Sequence, residues 1–221
     1  MGLSRKPRSV FLFSAILFAM LTSPMMDGGE ADWRTLTLGL LWAFLFGVGG
    51  YLISSSKGWL LSYSLGIALI LGTVVFEMLF GVFDTNQVIR NVVTAMIQCS
   101  ALYVSLRYAL SRSRGTALDR TIGGICGYFL LGFAWSRLFA LVQLFDPKAF
   151  SFEVGESLAS EADLLYYSFV SLTTLGYGDV VPINGFARIL SALEGAFGTL
   201  YLAVLVATLV SELRKTDSEK A

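Results

Sequence analysis

The 221-residue sequence contains no histidine. That removes the side chain most often used as a general base near neutral pH and as a metal ligand. Charge is scarce as well. Asp, Glu, Lys and Arg make up 14% of the chain, where a soluble domain carries about 25%. The 16 basic and 16 acidic residues cancel, so no basic surplus argues for nucleic acid as a partner. The only two cysteines, Cys99 and Cys126, stand in separate apolar runs without CxxC or CxxH spacing. They are read as small buried hydrophobes, not as a disulfide or a metal site. The glycine run GVGG at 47–50 lacks the Lys and Ser/Thr of a phosphate cradle. No catalytic constellation is left, and neither an enzyme nor a cofactor is expected.

What the chain has in excess is apolar length. Hydrophobic residues make up 55% of it, and the mean hydropathy is +0.70. A bilayer-crossing helix needs about 20 mostly apolar residues. Five stretches meet that need, at 36–54, 58–82, 88–110, 120–145 and 185–212. A sixth, at 9–26, is shorter and follows Arg5, Lys6 and Arg8, the pattern of a signal peptide. It has no A-x-A cleavage site, so it is read as a retained span. With six spans the basic residues fall on one side: Lys57, Arg107, Arg112, Arg114 and Arg120, with Arg214, Lys215 and Lys220 after the last span. The other side holds Asp27, Glu30, Asp32 and Asp84, with Arg34 as the basic exception. The bias places both termini in the cytoplasm.

The link between the fifth and sixth spans begins with the polar stretch DPKAFSFEVGESLASEAD. It continues as LLYYSFVSLTT at 164–174, apolar but only half a bilayer long. Such a length predicts a re-entrant element. Asp163 precedes it, where a carboxylate caps a helix and favours its dipole. The chain then returns through TTLGYGDVVP at 173–182. A half-helix entering from outside turns its negative end toward the membrane centre, which suits a cation there. In Thr174-Leu175-Gly176-Tyr177-Gly178 glycines alternate with larger residues. That alternation lets successive carbonyls face one way. A row of carbonyls, with the Thr174 hydroxyl, can replace the hydration shell of a cation, and several copies are needed to close the ring.

TTLGYGD, set between a half-length apolar helix and a following span, resembles the signature of the potassium channel family, most closely over 120–213. The resemblance implies K⁺ bound through the carbonyls of Thr174, Leu175, Gly176 and Tyr177 in a homotetramer of identical subunits. Leu175 stands where the family usually has valine. Tyr166 and Tyr167 stand where it often has two tryptophans, which implies an aromatic cuff around Tyr177. Thr173 and Asp179 would support the filter at its two ends. The last span, ARILSALEGAFGTLYLAVLVATLV, is similar to the inner helix of small bacterial channels of this family, with Gly198 at the position of the hinge glycine. Close helix packing is the other reading of Gly195 and Gly198. The expected architecture is all-α. A four-helix peripheral bundle at 1–116 precedes a pore domain at 117–213 and a cytoplasmic tail at 214–221, in the cytoplasmic (inner) membrane. No small-molecule substrate is expected.

Charges inside apolar spans are costly and mark function. Glu194 either braces the pore helix near Ser171 or Thr173, or faces the cavity and concentrates cations. Arg137 and Arg188 either anchor lipid phosphates or pair with outer acids, and Glu77 can pair with Arg90. The stretch 146–163 carries five acids, Asp146, Glu153, Glu156, Glu161 and Asp163, against Lys148. In the fourth span the stretch NVVTAMIQCSALYVSLRYAL has no arginine before Arg107, near its inner end, whereas a voltage sensor needs several at regular spacing. Weak or absent voltage gating follows. Three rivals stay open: a cation channel of relaxed selectivity, the ion-binding subunit of a potassium uptake system, and a non-conducting scaffold.

Overall fold

The structure is a computed structural model that describes residues 8–23, 84–110, 116–152 and 159–218, with isolated positions 47, 64 and 68. The spans expected at 36–54 and 58–82, and Glu77 with them, lie outside the described residues. So do the loop acids Glu153 and Glu156.

Among the described residues five helices and two short strands follow one another. They are α1 (Arg8–Thr22), α2 (Asp84–Leu110), α3 (Ala117–Phe145), β1 (Phe150–Phe152), α4 (Glu161–Leu172), β2 (Val180–Pro182) and α5 (Gly185–Ser218). Among the described residues three helices are long and apolar enough to cross a membrane, over Val88–Leu110, Leu118–Phe145 and Gly185–Ser211. Helix α1 ends two residues before Pro24, which cannot donate to a helical ladder.

Helix α3 is the axis of the packing. One core joins Leu12, Ile16 and Ala19 of α1, Ala101 and Tyr108 of α2, Cys126, Leu130 and Phe133 of α3, and Leu165 of α4. Cys126 is thus a buried hydrophobe as expected, whereas Cys99 is exposed, on a face of α2 that the described residues leave open. A second core gathers Trp135, Phe139 and Val142 of α3 with Phe150, Leu164, Tyr167 and Val180. Its aromatic rings meet edge to face: Phe139–Tyr167 centroids lie 5.1 Å apart and Phe139–Phe150 centroids 5.6 Å apart, the geometry that the ring quadrupole favours.

The sequence carried no expectation of strands, yet β1 and β2 pair antiparallel, with Phe150 opposite Pro182 and Phe152 opposite Val180. Ile183 N donates to Ala149 O at 2.7 Å, and Asn184 Nδ2 donates to Asp146 Oδ2 at 2.7 Å. Asn184 Oδ1 also accepts from Ala187 N at 2.7 Å, which satisfies one of the free donors at the start of α5. The start of α5 is thereby tied to the end of α3.

Helix α4 begins earlier than the apolar run implied. Its cap is Ser160, not Asp163: Ser160 Oγ accepts from Asp163 N at 3.1 Å, and Asp163 Oδ2 accepts from Ser160 N at 3.0 Å. This reciprocal capping box satisfies two donors at once. Arg137 is not left to lipid. It donates to Glu161 Oε2 at 2.7 Å. The guanidinium holds the Glu161 carboxyl below the usual carboxylate range, with a smaller contribution from Arg90.

Candidate functional site

The stretch 173–179 leaves the carboxyl end of α4. Thr173 ends the helix with its N–H on Phe169 O at 3.0 Å and its hydroxyl on the same carbonyl at 2.6 Å. The next three N–H groups turn back onto α4 as well. Thr174 N donates to Ser171 O at 3.0 Å, Leu175 N to Val170 O at 2.9 Å and Gly176 N to Val170 O at 3.3 Å. The donors of this turn are therefore spent on the helix end, and its carbonyls are left to other partners.

Backbone handedness alternates along the same stretch. Thr174 has φ +57°, Gly176 +60° and Gly178 +84°, while no other described non-glycine residue has a positive φ. In an ordinary extended strand successive carbonyls point to opposite sides. Inverting the sign of φ at every second residue turns them toward one side. Glycine enters this region without steric cost, and nothing lies within 4 Å of where a Cβ would sit at Gly176 or Gly178. Backbone conformation, not space, is what calls for glycine at these two positions. Residues 173–178 are all exposed in the single chain.

The two tyrosines before the loop serve different neighbours. Tyr166 stacks on Tyr177 with centroids 6.4 Å apart and ring planes 6° from parallel, and its hydroxyl donates to Asp179 Oδ2 at 2.6 Å. Tyr167 turns away, because successive residues on a helix point about 100° apart. It is buried against Phe139 and Phe150, and its hydroxyl lies 2.5 Å from Ser191 Oγ. Of these two tyrosines, only Tyr166 meets Tyr177 within one chain. Tyr166→Phe keeps the ring and removes the bond to Asp179. Without that bond the ends of the loop should separate more readily. The expected readout is faster hydrogen exchange at residues 176–180; unchanged exchange would show that the ring stack alone holds them.

Helix α5 supports the other side of α4. It runs unbroken from Gly185 to Ser218. At Gly198 it presses on the end of α4 so closely that a Cβ would collide with the Leu172 carbonyl oxygen. Tyr128 of α3 donates to that same oxygen at 3.2 Å. Glu194, one turn earlier, is fully buried, with Oε1 2.5 Å from Ser168 Oγ. Its contact on α4 is therefore Ser168, not Ser171 or Thr173. Sequence reasoning passed over Ser168, Tyr128, Ser191 and the Gly132 backbone. A hydroxyl in the middle of an apolar helix was the available signal for Ser168.

Residues 125–215 match a family described as "Ion channel". Over 98 residues, 41% of this chain, the sequence is 34% identical to potassium voltage-gated channel subfamily A member 2 of Xenopus laevis and 33% identical to subfamily A member 5 of Homo sapiens. The chain spans only 20% and 16% of the length of those two relatives. No solved structure matches. Residues 125–215 are therefore similar to the ion channel family, a likeness that covers less than half of the chain.

Proposed function

We propose that the chain is a subunit of a potassium-selective channel that conducts K⁺ passively as a homotetramer. The observation that carries the reading is the alternation of positive φ at 174, 176 and 178 in a loop whose first three N–H groups are occupied by α4. Carbonyls of Thr174, Leu175, Gly176 and Tyr177, freed on one side, form one wall of a cation path. Four copies around an axis close it, and main-chain oxygens then replace the water around K⁺. The need for copies is supported by α5, of whose span only 11% is buried. Phe186, Ile189, Phe197, Leu200 and Val204 all stand exposed along it. Similarity to potassium channel subunits supports the choice of ion.

In this reading α4 and residues 173–179 form a re-entrant element between the fifth and sixth of six spans. Residues 1–116 form a peripheral bundle, 117–213 the pore domain and 214–221 a tail, with both termini on the cytoplasmic side of the cytoplasmic (inner) membrane. The relatives named above are voltage-gated by name. Helix α2 offers only Arg90 and Arg107, far fewer charges than steep voltage sensing needs, so voltage dependence is weak or absent.

Reconstitution in planar bilayers tests the function. Current whose reversal potential follows the K⁺ gradient and ignores Na⁺, blocked by barium, is the expected result. Gly176→Ala places an L side chain in the left-handed region at a cost of about 1–2 kcal/mol per chain, and it should remove K⁺ selectivity. Equal permeability to Na⁺ in the unmodified protein would overturn the proposal in favour of a less selective cation channel, and silence would favour a scaffold.

A further inference from the structure

Ser168 sits at the centre of α4, fully buried, where three helices meet. Its Oγ lies 2.8 Å from the Gly132 carbonyl oxygen of α3 and 2.5 Å from Glu194 Oε1 of α5. A serine hydroxyl carries one hydrogen, and a backbone carbonyl and a carboxylate only accept. One hydrogen cannot serve both contacts. Neighbouring hydroxyls do not supply another: Tyr128 spends its hydrogen on Leu172 O, and Ser191 spends its own on Ala187 O, which leaves Tyr167 to donate to Ser191 Oγ. Among the described residues no cation pairs with Glu194, and its Oε2 is buried without a partner. An unpaired carboxylate in such a place would be very costly.

We propose that Glu194 is a positioning residue that donates a hydrogen from its carboxyl to Ser168, which in turn donates to the Gly132 carbonyl. This relay clamps the filter-bearing helix α4 between α3 and α5. The relay closes with every hydrogen used once. It assigns Glu194 no part in attracting cations to a cavity, since its carboxyl is spent inside the subunit. The clamp grips α4 one turn before Leu172, whose carbonyl is held by Tyr128 and covered by Gly198. The position of residues 174–178 therefore depends on it. Glutamine at 194 still offers N–H hydrogens to Ser168, whereas alanine offers nothing.

The effect on conduction rests on the channel reading above; the placement of the hydrogen does not. Two measurements on the full chain in lipid vesicles separate them. An infrared difference spectrum, unmodified protein minus E194Q, should show the carbonyl stretch of a protonated carboxylic acid, and S168A should shift that band. A carboxylate band in its place would overturn the relay whether or not the protein conducts. K⁺ flux should survive in E194Q and fall about tenfold in E194A and S168A, the scale of one lost buried hydrogen bond. If E194A fails to assemble, the comparison of E194Q with S168A still decides. Loss of flux in E194Q equal to that in S168A would overturn the positioning role. Absence of flux in the unmodified protein would remove the channel reading and leave the infrared result to decide the relay.

Discussion

Gly198→Ala is expected to displace the carboxyl end of α4 and, in the channel proposed above, to abolish selective conduction, although it adds a single methyl group. A Cβ at this position would collide with the Leu172 carbonyl oxygen and lie 3.1 Å from the Leu172 carbonyl carbon. These are backbone atoms, which cannot rotate aside as the tip of a side chain can. The same oxygen takes the Tyr128 hydroxyl, so its retreat would cost a hydrogen bond besides. Overpacking of a close contact costs about 1–3 kcal/mol, and a fourfold assembly would meet that cost four times. Gly195 provides the control. Its nearest atom to a new Cβ is Ser171 O at 3.4 Å, ordinary van der Waals contact. Gly195→Ala should therefore keep near-normal flux. If Gly198→Ala conducts like the unmodified protein in the same vesicles, the close approach of α5 to α4 is not what seats the loop, and the hinge reading of this glycine gains ground.

Asp119→Ala is expected to loosen α1 from the rest of the protein. Asp119 lies in the first turn of α3 and is only 4% exposed. Its Oδ1 accepts from the Ser9 amide at 2.8 Å and from the Ser9 hydroxyl, and Oδ2 accepts from the Tyr108 hydroxyl. One carboxyl thus joins the beginnings of α1 and α3 and the end of α2. Ser9 is in the first turn of α1, where free N–H groups and the positive end of the dipole favour an anion. Removing the carboxyl leaves one amide and two hydroxyls without this acceptor. At about 1 kcal/mol or more for each hydrogen bond to the carboxyl that is lost, the loss amounts to roughly 3 kcal/mol or more. Asp119→Asn keeps one accepting oxygen and should fall between. Thermal unfolding in detergent, with protease cleavage near residue 8 as the local probe, reads both effects. An alanine variant that melts and resists protease like the unmodified protein would show that apolar packing of Leu12, Ile16 and Ala19 is sufficient to hold α1.

Several parts of this molecule were legible in one dimension because their cause is local. The helices at 88–110, 120–145 and 185–212 follow from runs of apolar residues long enough to span hydrocarbon, and the structure has helices over all three. The position of the glycine loop after a short helix was legible for the same reason. Glycine at 176 and 178 signals unusual φ without reference to any other part of the chain, and both residues have it. The start of α4 was missed by three residues because hydropathy marks where a helix is apolar, not where it is capped; Ser160 and Asp163 close the first turn in polar sequence. Thr174 was missed as a third left-handed residue, since nothing in a threonine announces positive φ.

The identities of partners lay beyond the sequence, because they depend on how helices far apart in the chain rotate against one another. Tyr166 and Tyr167 look equivalent as adjacent letters. Their separation around the helix sends one to Tyr177 and Asp179, the other to Ser191. Arg137 could have reached lipid, and only the folded α4 brings Glu161 within 2.7 Å. Asp119 reads as one more charge near a span until α1 lies across it. Composition, the lengths of the apolar runs and the glycine motif alone determined that the chain is apolar, has long helices and carries a glycine-punctuated loop, since those follow from each segment's own chemistry. Which carboxyl meets which hydroxyl was decided by tertiary packing, where a turn of about 100° per residue and a contact range of a few ångströms select one partner from many.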